Sequence, residues 1–297
     1  MAQPPNAPYD KDSSMKFALC QELFEGWEWE RQCELMAEIG YTGIEAAPFA
    51  LASSIHELEA DRRTQLRQQA ESHGLQIIGL HWLLAQTEGL YLTAPDQAVR
   101  DATRDYLIAL GDACADLGGH LMVFGSPAQR NLLDGVTREQ AIEYAAEVFA
   151  GALPRLAERD VCICIEPLTT NETDFIRTCA EAVELIERVE ANSDVDNFFL
   201  HQDVKAMVGQ ETDPVPTLLH RHVDRLGHVH VNDTNLLGPG MGDTDFVPIL
   251  KALEDIQYDG WVSVEVFDYE PGAEWIARTS FENLQRDLAT ARDESTC

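Results

Sequence analysis

The stretch at residues 161–166, VCICIE, is apolar until its last position and ends on a carboxylate, Glu166. Three later runs repeat that form: FFLHQD at 198–203 ends on Asp203, LGHVHV at 226–231 carries His230, and WVSVE at 261–265 ends on Glu265. Each reads as a short strand, β-branched or aromatic and free of charge until its end, as a strand buried on both faces should be. Working outward, further apolar runs begin near Lys16, Gly43, Gln76 and His120, which makes eight strand candidates. Between and after them lie amphipathic helical patterns at 28–39, 60–73, 98–117, 138–159, 178–189, 214–222, 246–256 and 273–289. Gly40, Gly74 and Gly118 stand where helices should stop. Eight alternating units in one chain of 297 residues predict an α/β fold, a single closed (β/α)8 barrel over 15–297. The open doubly wound sheet is the rival, but CQELFEGW after the first strand lacks the Gly-rich phosphate turn that sheet wants.

In parallel neighbours the carboxyl ends of the strands converge on one edge, so Glu166, Asp203, His230 and Glu265 should surround a single point. Three carboxylates and an imidazole form a ligand set for one divalent metal. The plainer reading has each acid capping a helix or pairing with a base. It is weakened because Lys205 is the only Lys or Arg within two positions of any of the four. Carboxylates crowded without a cation raise one another's pKa, and a metal relieves that conflict. Oxygen-rich ligation without thiolate favours Mn²⁺ first, then Mg²⁺, with Co²⁺ or Zn²⁺ admitted by the imidazole. His228 lies two residues deeper than His230 and suits a core or supporting role. His81, in GLHWLL, ends the third strand with Trp82 beside it.

Composition narrows the function. A formal charge of −31, from 52 acids against 21 bases, repels nucleic acid and anionic membranes. No stretch has the roughly 20 apolar residues that cross a bilayer. Residues 1–14, MAQPPNAPYDKDSS, have no apolar period and read as a flexible N-terminal arm rather than a signal peptide. Seven scattered cysteines fit reduced core residues of a cytoplasmic protein.

IEPL around Glu166, QDVKAM around Asp203, HVHVND around His230, GPGMGDTDF at 238–246 and YDGWVSVEVF around Glu265 carry a resemblance. From Lys16 onward the chain resembles the sugar phosphate isomerase/epimerase superfamily of xylose isomerase-like barrels, particularly ketose 3-epimerases and hydroxypyruvate isomerase. The resemblance implies that Glu166 and Glu265 both touch the metal and exchange a proton with the substrate carbon, and that Asp203 and His230 ligate only. It implies that Glu172 lies near the sugar's terminal oxygens. Two positions depart from the epimerase pattern: Ala206 replaces a substrate-touching histidine and Leu236 an arginine. His81, Trp82, Lys205 and Asn232 are further candidates for sugar contacts, as are Asn235, Trp27 and Phe49.

The expected activity is therefore metal-dependent isomerisation or epimerisation of a ketose or related keto-sugar, by proton abstraction next to a metal-bound carbonyl. Alternatives are a lyase cleaving a keto-glycoside by β-elimination and a non-catalytic sugar-binding barrel. A phosphodiesterase or endonuclease would want more histidines and a basic groove. The expected partners are a small carbohydrate and, as in relatives that pair, further copies of the chain. The segment 238–242 could close over the mouth, and the apolar face around Phe281 and Leu284 could serve an interface or the barrel.

Overall fold

Short β-branched runs that are apolar on both faces find burial only between a barrel interior and a helical layer, and this chain closes such a barrel. The structure is a computed structural model, described for residues 15–295; the expected arm at 1–14 lies outside the described residues. The strands are β1 (Lys16–Cys20), β2 (Gly43–Ala46), β3 (Gln76–Leu80), β4 (Leu121–Phe124), β5 (Cys162–Ile165), β6 (Phe198–Asp203), β7 (Leu226–Val231) and β8 (Trp261–Val264). Each pairs in parallel with the next, and β1 closes on β8.

The helices are α1 (Trp29–Ile39), α2 (Pro48–Leu51), α3 (Ala60–Ser72), α4 (Gln97–Leu117), α5 (Arg138–Ala157), α6 (Cys179–Glu190), α7 (Val204–Gln210), α8 (Val215–Arg221), α9 (Val247–Asp255) and α10 (Ala273–Ser295). The short α2 and α7 were not expected: α2 has only four residues, and α7 follows Asp203 directly, with no break after the strand. The last helix also runs six residues past the expected end at 289. Helix ends follow local chemistry: Thr137 and Gln140 form a reciprocal capping box on α5, and Gly40 and Gly118 take φ of +115° and +91° after α1 and α4.

Two irregularities of pairing lie near the site. The register shifts between Ile44 and Glu45 against β3, and between Leu200 and His201 against β7. In the second, Gly227 is passed over, so that His201 stands beside His228 and Asp203 beside His230. Shifts of this kind re-aim the side chains that follow them.

Ala18, Ile78 and Trp261 form a small apolar cluster toward the amino ends of the strands. Above them the interior turns polar, with Glu45, His201, His228, His230 and Ser263 all fully buried. The apolar core lies mainly in the outer layer. Leu284 is buried there, and Phe281 packs edge-on against Phe17 and Tyr41, so that face serves the barrel. The six described cysteines are unpaired, and all but Cys162 are buried.

Candidate active site

The barrel brings Glu166, Asp203, His230 and Glu265 to one end. Glu166 directly follows β5 and Glu265 directly follows β8; Asp203 ends β6, and His230 is the penultimate residue of β7. One ligand atom each from Glu166, His201, Asp203 and His230 lie within 4.8 Å of one another. Glu265 joins them through its Oε2, 3.2 Å from His230 Nδ1. All four expected residues are buried, the most exposed being Glu166 at 7%.

Each is held by its own neighbours. Glu166 owes its room to Gly125, where a Cβ would lie 2.3 Å from Glu166 Oε2. Its carbonyl accepts from Arg130 at 2.7 Å, and that fully buried guanidinium also donates to the carbonyls of Gly125, Phe175 and Ile176. Burial pulls the Arg130 pKa down to about 10. Asp203 caps α7, Oδ1 accepting from the Ala206 amide at 2.7 Å, so the plainer reading of this acid holds too. Its Oδ2 accepts from Asn232 at 2.5 Å.

A chain of alternating carboxylates and imidazoles crosses the site. Glu22 Oε2 lies 2.8 Å from His81 Nε2, and His81 Nδ1 lies 3.2 Å from Glu265 Oε1. Beyond Glu265, His230 Nε2 lies 3.0 Å from Glu45 Oε1, and Glu45 Oε2 lies 2.8 Å from His228 Nε2. Burial disfavours charge on His81, but Cys20 and Glu22 outweigh it and raise its pKa well above the usual value. His230 is likewise raised by Glu45, Cys20 and Glu265 against burial. A ring flanked by two carboxylates donates to both only as imidazolium. His201 stays neutral, since burial and then His230 and His228 depress its pKa.

The two glutamates that end β5 and β8 are driven apart. Burial, then the charges of Glu265 and Asp203, push the Glu166 pKa well up. Burial acts the same way on Glu265, but His230 and His81 overcome it and hold that carboxyl down. Asp203 is raised by burial and by Glu265, although Lys205 opposes. This is carboxylate crowding with one nearby ammonium, and its donor chemistry fits a divalent cation of the Mn²⁺, Mg²⁺, Co²⁺ or Zn²⁺ class.

Beside these residues opens a cleft of about 350 Å³, partly open to solvent, lined by His81, Trp82, Ser126, Glu166, Glu172, Glu265 and Phe267 among others. Three of the expected sugar contacts, His81, Trp82 and Glu172, thus line this cleft. Lys205 Nζ lies 3.1 Å from Glu172 Oε1 and 3.8 Å above the Phe267 ring, bracing two walls of the cleft. Asn232 is spent on the supporting structure: besides donating to Asp203, it accepts from the Lys205 amide at 2.9 Å through Oδ1.

Other expectations meet different surroundings. Trp27 packs on Phe24 and under Arg31, 3.6 Å from its ring. Asn235 is spent inside its own loop, donating to the Met241 carbonyl. The segment at 238–242 is tied down rather than poised over the mouth: Asp233 accepts from the amides of Gly242 and Thr244, and Asn283 of α10 donates to the Pro239 carbonyl.

A family model described as "Xylose isomerase-like TIM barrel" matches residues 33–286. The chain belongs to that family. Among characterised relatives within these xylose isomerase-like barrels, an L-ribulose 3-epimerase from Methylomonas sp. (strain DH-1) is 28% identical over 191 residues, 63% of this chain and 61% of that protein. A D-psicose 3-epimerase from Ruminiclostridium cellulolyticum is 26% identical over 289 residues, 90% of this chain and 88% of that one. The solved structure of an L-ribulose 3-epimerase has the same fold, with a TM-score of 0.80 at 20% identity over 95% of this chain and 97% of its own.

The sequence reading passed over Glu22, Glu45, His201, Arg130 and Phe267. Glu45 had a signal, since GIEA carries an acid at the penultimate position of the second strand. His201 had one also, two residues before Asp203 and of the same parity. Arg130 had none, because its partners are main-chain carbonyls that only the fold brings together.

Proposed function

We propose that this chain is a divalent-metal-dependent sugar epimerase or isomerase that moves a proton at the carbon beside a carbonyl. The observation that carries the reading is the pair Glu166 and Glu265, which leave β5 and β8, both line the cleft, and have pKa values driven in opposite directions. Such a divergence assigns acid and base roles. Glu265, held ionised by His81 and His230, takes the proton; Glu166, which keeps its own, gives one back from the other side.

Glu166, Asp203, His230 and Glu265 would hold the metal, which would supply a Lewis acid to polarise the substrate carbonyl. Asn232 and the α7 amide of Ala206 orient Asp203 for that duty. Glu45 and Glu22 fix the rings of His230 and His81, as carboxylates behind ligating histidines do. Trp82 and Phe267 offer aromatic edges to a sugar face, their rings 6.4 Å apart, and Glu172, braced by Lys205, accepts from hydroxyls. Burial of the whole set keeps water from competing for the proton. Both curated relatives named above are 3-epimerases, which favours return of the proton to the same carbon over β-elimination.

The test is hydrogen exchange. With Mn²⁺-loaded protein in D₂O and a panel of free ketoses and keto-glycosides, deuterium is expected at the carbon beside the carbonyl of at least one member, with epimer appearing, and both lost in Glu265→Gln. Absence of exchange with every member, despite stoichiometric metal, would sink the proposal.

A further inference from the structure

His201 has neither ring nitrogen hydrogen-bonded, although it is fully buried. A neutral imidazole carries one donor and one acceptor, and leaving such groups unpaired in the interior carries their full desolvation penalty. Its place in the fold is not accidental packing, because the register shift at Leu200/His201 sets it beside the site. One of its nitrogens lies within 4.8 Å of carboxylate oxygens of Glu166 and Asp203 and of a nitrogen of His230. The His201 and His230 rings stand edge to face, centroids 4.2 Å apart at 76°. His230 spends one nitrogen on Glu45 and the other toward Glu265, whereas His201 has both to give.

We propose that His201 is a further protein ligand of the same metal centre, so that the ion sees two imidazoles and not one. The inference rests on the metal-dependent reading above and deepens it by narrowing the metal. An oxygen-rich set with one imidazole suits Mn²⁺ and Mg²⁺; a second imidazole shifts the preference toward Co²⁺ and Zn²⁺. His228 groups with His201 and His230 but not with Glu166 and Asp203; its Nε2 is engaged by Glu45 and lies 3.2 Å from Ser263 Oγ, so it stays outside the coordination sphere and backs the His201 ring.

Pulsed EPR of the Mn²⁺-loaded full chain counts ligating imidazole nitrogens directly. Two are expected in the wild type, one in His201→Gln and two in His228→Gln. In parallel, Co²⁺ affinity measured by titration should fall in His201→Gln by at least the roughly 10-fold that loss of even an outer-shell partner costs, with a smaller change for Mg²⁺. A single imidazole in the wild type would overturn the inference, leaving His201 to an internal water, and so would loss of the second signal in His228→Gln alone. The wild-type count decides by itself, so a variant that fails to fold does not spoil the test. If the wild type takes up no stoichiometric metal, the proposed function falls together with the inference, a result distinct from a single-imidazole spectrum.

Discussion

The two halves of this barrel end their strands differently. β5 to β8 end on Glu166, Asp203, His230 and Glu265, which face one another; β1 to β4 are followed by, or end near, Glu22, Glu45, His81 and Arg130, which reach across and hold them. The second half supplies the four strand-end residues and the first half supports them, although His81 and Trp82 also line the cleft. The difference shows in hydrogen bonding. Glu45 is wholly buried and divides its oxygens between His228 and His230, with none facing the cleft. What the contrast teaches is that a polar residue at a strand end has its meaning set by where its partner sits.

The sharpest way to break this division is to neutralise one carboxylate in each half. Glu265→Gln should lower the rate of substrate-dependent deuterium exchange by on the order of 10²–10⁴-fold, the usual contribution of a general base. Glu22→Gln, which acts on Glu265 only through His81, should cost distinctly less. Equal losses in the two variants would erase the distinction between presenting and supporting residues.

Next in size is a loss of stability without a direct loss of chemistry. Arg130→Met strips the donors from the carbonyls of Gly125, Glu166, Phe175 and Ile176, all of them around a buried side chain. Several such losses, less the relief of no longer burying a charge, should total about 3 kcal/mol. Urea unfolding of the metal-free protein would show it as a lower midpoint at unchanged slope. An unchanged midpoint would mean that the first half does not support Glu166 in this way.

A smaller effect is expected on the metal. Glu45→Gln keeps the shape of the residue but removes the charge that holds both His228 and His230. Outer-shell partners of this type are worth about 10–100-fold in metal affinity. Titration of Mn²⁺ into the variant should show a loss in that range, and none would assign Glu45 to folding alone.

This contrast also explains what the sequence could tell. Glu166, Asp203, His230 and Glu265 are legible because each sits at the end of a regular run, so that parity and spacing place them without knowledge of any partner. Glu45 and His201 share that parity, but what they stand beside is set by register shifts in the pairing, which the alternation of one strand does not announce. Glu45 also needs partners 183 and 185 residues away, and the bonds that define Arg130 are to main chain. The helix that Asp203 caps was invisible for a different reason, starting directly where strand chemistry had already accounted for the acid.

The last and smallest effect is a pH dependence in which groups with raised and with depressed pKa values oppose each other. Glu166, Asp203, His81 and His230 have folded pKa values above their unfolded ones, so the stability they contribute is complete below the unfolded values and is lost as pH rises through the folded ones. Glu45 and Glu265 are depressed, so theirs is present above an unfolded value of about 4.3 and is lost as pH falls through the lower folded ones. His201 and His228, also depressed, gain with rising pH only until the unfolded imidazole value of about 6.5 is passed. Above that point the raised groups alone still titrate, and the metal-free protein should lose thermal stability toward pH 8–9. A bound cation compensates the same carboxylates and expels the His230 proton, so affinity rises with pH and the loaded protein escapes the decline. The gap in Tm between Mn²⁺-loaded and metal-free protein should therefore widen with pH over that range. A constant or narrowing gap would show that the four strand-end residues are not the groups that exchange protons for metal.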